Sequence, residues 1–238
     1  MKAKFLALAA LILGMVSCQT NFVDGVEVDA NGEAAVTLQV GLPEDATRAD
    51  SALGAIDNGV MNNYDVRFIL EVYDMSGAAP ELAKERMVQS GQNTTATFNF
   101  RLVPGRNYNF VVWADFVEKG SKADRLYNTE DGLDEIEMYH KLWDAIDESR
   151  DAYTESVFVE NYNGTSKIGE NGVITLTRPF AKLRVVTNDI KEMISIRPKT
   201  VTVKYFSTEF YAKYNALSET PYNAVEFDKE LVVTLLDD

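Results

Sequence analysis

Few side chains in this chain are suited to nucleophilic catalysis. Its 238 residues include one histidine, His140, and one cysteine, Cys18. A Ser-His-Asp or Cys-His arrangement would have to use His140, and nothing in the surrounding sequence suggests a nucleophile within its reach. We therefore expect His140 to be an ordinary helix residue and the protein not to be an enzyme.

A group of carboxylates just before His140 could bind a cation. Its members are Glu130, Asp131, Asp134, Glu135 and Glu137. They match the alternating ligand positions of a calcium loop poorly, and a zinc site would need several Cys or His residues. Acidic residues suit the positive end of a helix dipole, so we expect the solvated start of a helix, with no metal and no cofactor. A glycosidase pair depends on three-dimensional spacing, which a sequence with 37 acidic residues does not define.

Aromatic residues could form a flat platform on which sugar rings stack. The candidates are Trp113, Tyr127, Trp143 and Tyr162. In β-rich proteins, however, large aromatic side chains are mostly buried in the core. We expect these four in the core, whereas an exposed row of them would favour a glycan-binding protein.

The first 18 residues have the pattern of an export signal. Lys2 and Lys4 precede an apolar run from Phe5 to Val16, which is shorter than the ~20 residues of a transmembrane helix. The run leads into Cys18, as in a bacterial lipobox, where the cysteine is lipidated and becomes the first mature residue. We expect residues 1–18 to be a lipoprotein signal peptide, with Cys18 as the lipid site.

The charge balance of the chain indicates whether nucleic acid could be a partner. The chain carries 23 basic and 37 acidic residues, a formal charge of −14. This excess repels phosphate, so we expect no nucleic acid partner.

Alternation of apolar and polar residues predicts strands in most of the chain. It is clearest at 36–40, 66–72, 96–102 and 108–114. Pro104-Gly105 between the last two segments suits a type II turn, so residues 95–115 are predicted to form a hairpin. Further strands are expected at 156–159, 173–176, 180–186, 201–205 and 231–235.

One segment has helical spacing instead. Apolar residues recur every three to four positions through residues 130–147, and this predicts one inserted helix. With no regular alternation of strands and helices, the pattern predicts an all-β fold, an antiparallel Greek-key sandwich of transthyretin or immunoglobulin type.

After the signal peptide, the expected organisation has three parts. Residues 19–35 are acidic and are interpreted as a tether, and residues 36–187 as the sandwich domain. Residues 188–238 hold too few strands to close a second sandwich. They are either a partial second domain or an extension of the first domain's sheets.

Three features together resemble the fimbrillin-like surface lipoproteins of type V pili. The first is the lipobox followed by an acidic segment and one strand. The second is Arg48, within ATRAD just after that strand. The third is a pair of blocks, LVPGRNYNFVVWA at 102–114 and LTRPFAKLRV at 176–185.

The resemblance implies a surface-exposed outer-membrane lipoprotein of a Gram-negative bacterium. An arginine-specific protease would cut after Arg48 and remove a strand anchored by Val36, Leu38 and Val40. A strand of another fimbrial subunit would then fill the groove, making this chain a shaft, anchor or tip subunit that can also contact host or bacterial surface ligands. The alternative function is a glycan-binding lipoprotein of a polysaccharide uptake system.

Overall fold

The computed structural model describes residues 21–23, 25–43, 58–138, 148–165, 167–180, 200–205, 208–227 and 230–234. Within these ranges the chain is almost entirely β-structure, with one short helix, α1 (Asn58–Asn63), and one 3-10 turn, Glu148–Arg150. The predicted all-β class is therefore confirmed.

The strands follow one another along the whole described chain. They are β1 (Asn21–Val23), β2 (Val26–Val28), β3 (Ala34–Gly41), β4 (Tyr64–Asp74), β5 (Glu81–Leu82), β6 (Met87–Gly91), β7 (Thr95–Leu102), β8 (Tyr108–Glu118), β9 (Tyr127–Asn128), β10 (Ile136–Met138), β11 (Tyr153–Val159), β12 (Val173–Thr175), β13 (Thr200–Lys204), β14 (Thr208–Asn215), β15 (Thr220–Phe227) and β16 (Glu230–Thr234).

These strands form four sheets. Sheet A has the order β1-β2-β3-β12, with β7 paired to the other side of β3. Sheet B has the order β11-β8-β4-β5, and β6 also pairs with β4. Sheet C has the order β15-β14-β10-β9, while β13 and β16 pair with each other as sheet D. Every strand pair is antiparallel except β3 with β12.

Sheet B has a hydrophobic core on each of its faces. On one face Phe68 and Phe110 pack with the inner residues of sheet A, including Leu38. On the other face Ile69 and Trp113 pack with residues from sheet C and the loops around it. This explains why β4 and β8 are buried along almost their whole length instead of at alternate residues.

The predicted hairpin over residues 95–115 is wrong, although both strands exist. β7 pairs with β3 in sheet A, whereas β8 pairs with β4 and β11 in sheet B. The turn is present, with Gly105 at a φ of +84°, but it carries the chain across the sandwich. Phe100 and Phe110 consequently face each other across the core, with ring centroids 6.4 Å apart. Two alternating strands joined by a short turn have the same pattern whether they pair or pack face to face.

The predicted helix over residues 130–147 is also wrong where the structure describes it. Residues 136–138 form β10, and those before it form turns. Apolar Leu133 and Ile136 are fully buried in the second core because a turn and a short strand place them there. The rest of that prediction, residues 139–147 with His140, lies outside the described residues.

Both ends of the predicted sandwich are more structured than expected. Within the segment interpreted as a tether, β1 and β2 form a hairpin, and Val28 of β2 pairs with Ala34 of β3. In the C-terminal segment, β14 pairs with β10, and Tyr214 lies in the core of sheet B. β14 thus belongs to the same sheet as β9 and β10, which precede it in the segment predicted to form the sandwich.

Candidate strand-exchange site

β3 lies inside sheet A, with neighbours along both edges. On one side β7 pairs with it in antiparallel register over its full length, from Ala34 opposite Leu102 to Gly41 opposite Thr95. On the other side it pairs with β2 at one position and with β12 in parallel over three. A strand that replaced β3 would therefore have to run antiparallel to β7 and parallel to β12.

The alternation of β3 fixes which side chains hold it. Val36, Leu38 and Val40 are at most 1% exposed and belong to the core between sheets A and B. Between them, Thr37 and Gln39 face solvent. The alternation predicted from the sequence is confirmed, and the three apolar residues are the ones by which β3 is seated. Their role in a removable strand stays a prediction.

The residues before β3 are attached mainly by polar contacts. Arg101 of β7 forms an ion pair with Asp29, with Nε and Oδ2 at 2.8 Å, and Lys84 pairs with Glu33 at 2.6 Å. The pKa of Asp29 lies below its usual value, chiefly because its carboxylate accepts the backbone N–H of Glu33. These ion pairs are partly exposed, so each contributes little free energy compared with the buried side chains of β3.

One glycine allows the N-terminal hairpin to pack closely on the domain. Gly164 has a φ of +82°, and a Cβ atom there would lie 2.3 Å from a methyl carbon of Val26 in β2. Any side chain at this position would push β2 away from the loop that follows β11. The hairpin thus rests on a close contact between Val26 and the Gly164 backbone, and the turn that follows it is held by the ion pairs.

The two predicted modification sites are not described by the structure. Cys18 precedes the first described residue, and Arg48 lies in the 44–57 segment between Pro43 and α1. After β3 the described chain continues to Pro43, where Leu42 N–H donates to the Thr94 carbonyl at 3.0 Å. Lipidation at Cys18 and cleavage at Arg48 therefore remain predictions.

Sheet B contains a buried ionic network that the sequence analysis did not identify. Arg67 of β4, 2% exposed, forms a bidentate contact with Asp115 of β8, at 2.8 Å from Nε and 2.5 Å from Nη2. Its Nη1 also lies 2.6 Å from Asp124. Burial lowers the pKa of Arg67, but the two carboxylates outweigh it and raise the pKa overall. The network joins the centre of sheet B to the loop after β8.

A second buried polar group lies four residues further along β4. Glu71 accepts hydrogen bonds from the Tyr73 hydroxyl at 2.6 Å and from the Leu133 N–H at 2.9 Å. Burial and the neighbouring Glu71 carboxylate raise the pKa of Tyr73. Arg86 approaches the same carboxylate and bonds Thr129. The signal available in the sequence was charged residues placed inside the otherwise apolar runs of β4 and β8.

The aromatic residues considered for sugar stacking lie in the core wherever the structure describes them. Trp113, Tyr127 and Tyr162 are buried, and Trp113 and Tyr127 pack edge to face at 5.2 Å. The core interpretation is thus confirmed for these three aromatics, while Trp143 lies outside the described residues. Among the residues that the structure describes, no three His, Cys, Asp or Glu side chains come together as a metal site.

The acidic group is solvated, but it does not begin a helix. All five of its carboxylate residues are exposed, and Glu135 pairs with Lys213 of β14. Its members lie in turns and on β10, where one face of the strand points outward. Among the residues that the structure describes, no helix has the length and apolarity that are needed to span a bilayer.

Comparison with known sequences identifies a family. The model of a family of unknown function, DUF6562, matches residues 28–235. The match runs from β2 to the end of the last strand, so it includes β3, sheet B and the C-terminal strands. No curated protein matches the sequence significantly.

Proposed function

We propose that this chain, which belongs to the DUF6562 family of unknown function, is a lipid-anchored surface subunit of a fimbrium that assembles by strand exchange. The observation that carries the proposal is the position of β3. It is an internal strand of sheet A, seated by three buried side chains, near one end of the chain. Such a strand can leave without any later segment having to leave with it.

The order of β1, β2, β3 and Arg48 along the chain also supports the proposal. β1, β2 and β3 all precede residue 44, and the described residues resume at 58 with α1. A cut after Arg48 would separate these three strands from everything that follows. β7 and β12 would remain as the two walls of an open slot.

The physical consequence of losing β3 is an unstable surface. The slot would expose backbone N–H and C=O groups of β7 and β12, together with the apolar residues that covered Val36, Leu38 and Val40. Unpaired buried backbone groups and exposed core residues are both costly in water. A strand with the same alternation from another subunit would satisfy both, as in β-strand addition.

The predicted processing sites give the order of events. Lipidation of Cys18 would hold the exported chain at the outer membrane until a protease cuts at Arg48. A chain that keeps its lipid would serve as an anchor, and a cut chain would enter the fibre as a shaft or tip subunit.

The glycan-binding alternative has less support. It needs a row of exposed aromatic residues, and three of its four candidates, Trp113, Tyr127 and Tyr162, are buried. Phe22, Phe158 and Tyr211 are exposed in the described ranges, but they lie on strands of three different sheets.

The experiment is to treat the purified full chain with an arginine-specific protease and follow its mass and its binding of a peptide copying residues 34–42. We expect cleavage after Arg48, followed by peptide uptake or formation of larger species. The Arg48→Ala variant should do neither, and a peptide with serine at positions 36, 38 and 40 should not bind. If the cleaved chain stays monomeric and ignores the peptide, strand exchange is wrong for this protein.

A further inference from the structure

β7 has a second edge that faces away from β3. Among the residues that the structure describes, β7 pairs along its 8 residues with β3 only. A strand with an unpaired edge presents a row of backbone groups on which another strand can pair.

Two hydrogen bonds show which residues present their backbone at this edge. Thr94 accepts from Leu42 N–H at 3.0 Å, so its carbonyl points toward β3, whereas the Thr97 carbonyl accepts from the Gln89 side chain at 2.7 Å on the opposite side. Backbone direction alternates along a strand. Thr95, Thr97, Asn99 and Arg101 therefore point their N–H and C=O groups to the open edge.

Charged side chains cover two other sheet edges, those of β6 and β11. The outer edge of β6 is capped by Lys122, whose Nζ lies 2.8 Å from the Val88 carbonyl. On β11, Ser156 N–H donates to the Glu219 carboxylate at 3.2 Å. Charged side chains over an edge are a common protection against pairing. On β7 the side chain that caps the edge within the described residues is a neutral amide, Gln89.

The side chains beside this edge are also unusual in their charge. Thr95, Thr97 and Asn99 are exposed and neutral, in a chain whose formal charge is −14. Two copies of an acidic chain repel each other over most of their surfaces. Over Thr95, Thr97 and Asn99 the edge of β7 itself contributes no carboxylate to such a contact.

We propose that β7 pairs antiparallel with β7 of a second copy of this chain, forming a two-fold symmetric dimer in which sheet A continues across both molecules. The register places Thr97 opposite Asn99 of the second copy and Thr95 opposite its Arg101. Each of these residues exchanges two backbone hydrogen bonds with its partner. Arg101, the only basic residue of β7, then lies opposite Thr95 of the second copy and not opposite the second copy's Arg101.

This dimer is distinct from the proposed strand exchange. It uses the edge of β7 that faces away from β3, so β3 remains in place and cleavage at Arg48 is not needed. In a fibre, the same contact would join neighbouring subunits side by side.

Cysteine cross-linking tests the contact and its register. Full-length chains carrying Cys18→Ser and either Thr97→Cys or Asn99→Cys are purified in detergent and oxidised, separately and as a mixture. Opposed residues of a hydrogen-bonded pair have Cα atoms about 5.5 Å apart, within disulfide range, whereas diagonal positions are about 7–8 Å apart. We expect the mixture to yield at least about tenfold more covalent dimer than either chain alone. Equal yields, or none in the mixture, would overturn the proposal.

A matched pair of variants tests the hydrogen bonds. Thr97→Pro removes an N–H that points away from β3, so the β3 pairing is kept, while Thr97→Ala retains that N–H. In sedimentation experiments on the uncut full chain, we expect the wild type and Thr97→Ala to dimerise and Thr97→Pro to remain monomeric. A monomeric wild type, or a Thr97→Pro variant that dimerises like Thr97→Ala, would contradict the inference, and the cross-linking result stands if Thr97→Pro does not fold.

Discussion

Replacing Leu38 with alanine should loosen β3 without disturbing the rest of the chain's architecture. Leu38 is fully buried at the middle of β3, between Val36 and Val40. Truncating a buried leucine to alanine costs about 3–5 kcal/mol, because the transfer free energy is lost and a cavity remains. Val36, Leu38 and Val40 each contribute about 1.5–3 kcal/mol by burial, so this change removes a large part of the free energy that holds β3 in sheet A.

The matched control lies one residue further along the same strand. Gln39 is exposed on the outer face of β3, so Gln39→Ala should change the free energy of unfolding by less than about 0.5 kcal/mol. Urea denaturation followed by circular dichroism would measure both variants. After cleavage at Arg48, native mass spectrometry would measure how firmly the N-terminal fragment is still held.

A loss of 3–5 kcal/mol corresponds to about a hundredfold or greater weakening of fragment binding. Leu38→Ala should therefore release the cleaved fragment at concentrations where the wild type and Gln39→Ala retain it. If Leu38→Ala and Gln39→Ala lose the same amount of stability, β3 is not seated by its inward face. If stability falls as expected but the fragment stays bound, β3 is not what retains it.

Two other predictions concern sheet B. Asp115→Ala leaves the buried Arg67 guanidinium without its bidentate partner and should lower the free energy of unfolding by about 3–5 kcal/mol. Adding Arg67→Met should recover part of that loss. Urea denaturation measures both variants, and a loss below about 1 kcal/mol for Asp115→Ala would contradict the prediction. Burial, and then the nearby Glu219 carboxylate, raise the pKa of Glu155, so the fold prefers its protonated form. Glu155→Gln should therefore raise the melting temperature at pH 7, and the gain should vanish below about pH 4, where the wild-type carboxyl is also neutral; an equal gain at both pH values would refute this.

The sequence predicted individual strands better than their partners. Alternation alone identified β3, β4, β7 and β8, and it assigned correctly the face of each that packs between sheets A and B, because burial of one face is a local property of each strand. Pairing depends on contacts between segments distant in sequence. For this reason the turn at Pro104-Gly105 was predicted correctly while the partner of each flanking strand was not.

The second core was the feature least visible in the sequence. Arg67 and Glu71 occupy the face of β4 that alternation marks as solvent-facing, yet both are buried beneath the loop after β8 and the turn before β10. A charged residue on a strand is usually exposed, so one sequence cannot distinguish a solvated face from a second, ion-paired interior. The exposed acidic group and the buried Trp113 could be assigned because each matched the ordinary tendency of its residue type.

The arrangement of the two cores bears on whether β3 could leave a folded domain. Strand exchange requires the remaining chain to keep its shape while the slot is empty. The core between sheets A and B contains Val36, Leu38 and Val40, but the core on the opposite face of sheet B draws its residues from sheet B itself and from later segments such as Tyr127 and Tyr214. The described residues of that second core include none from β1–β3. Losing β3 would therefore uncover one face of sheet B while the other face keeps its own packing and its Arg67–Asp115 pair, which is the physical requirement for a stable acceptor.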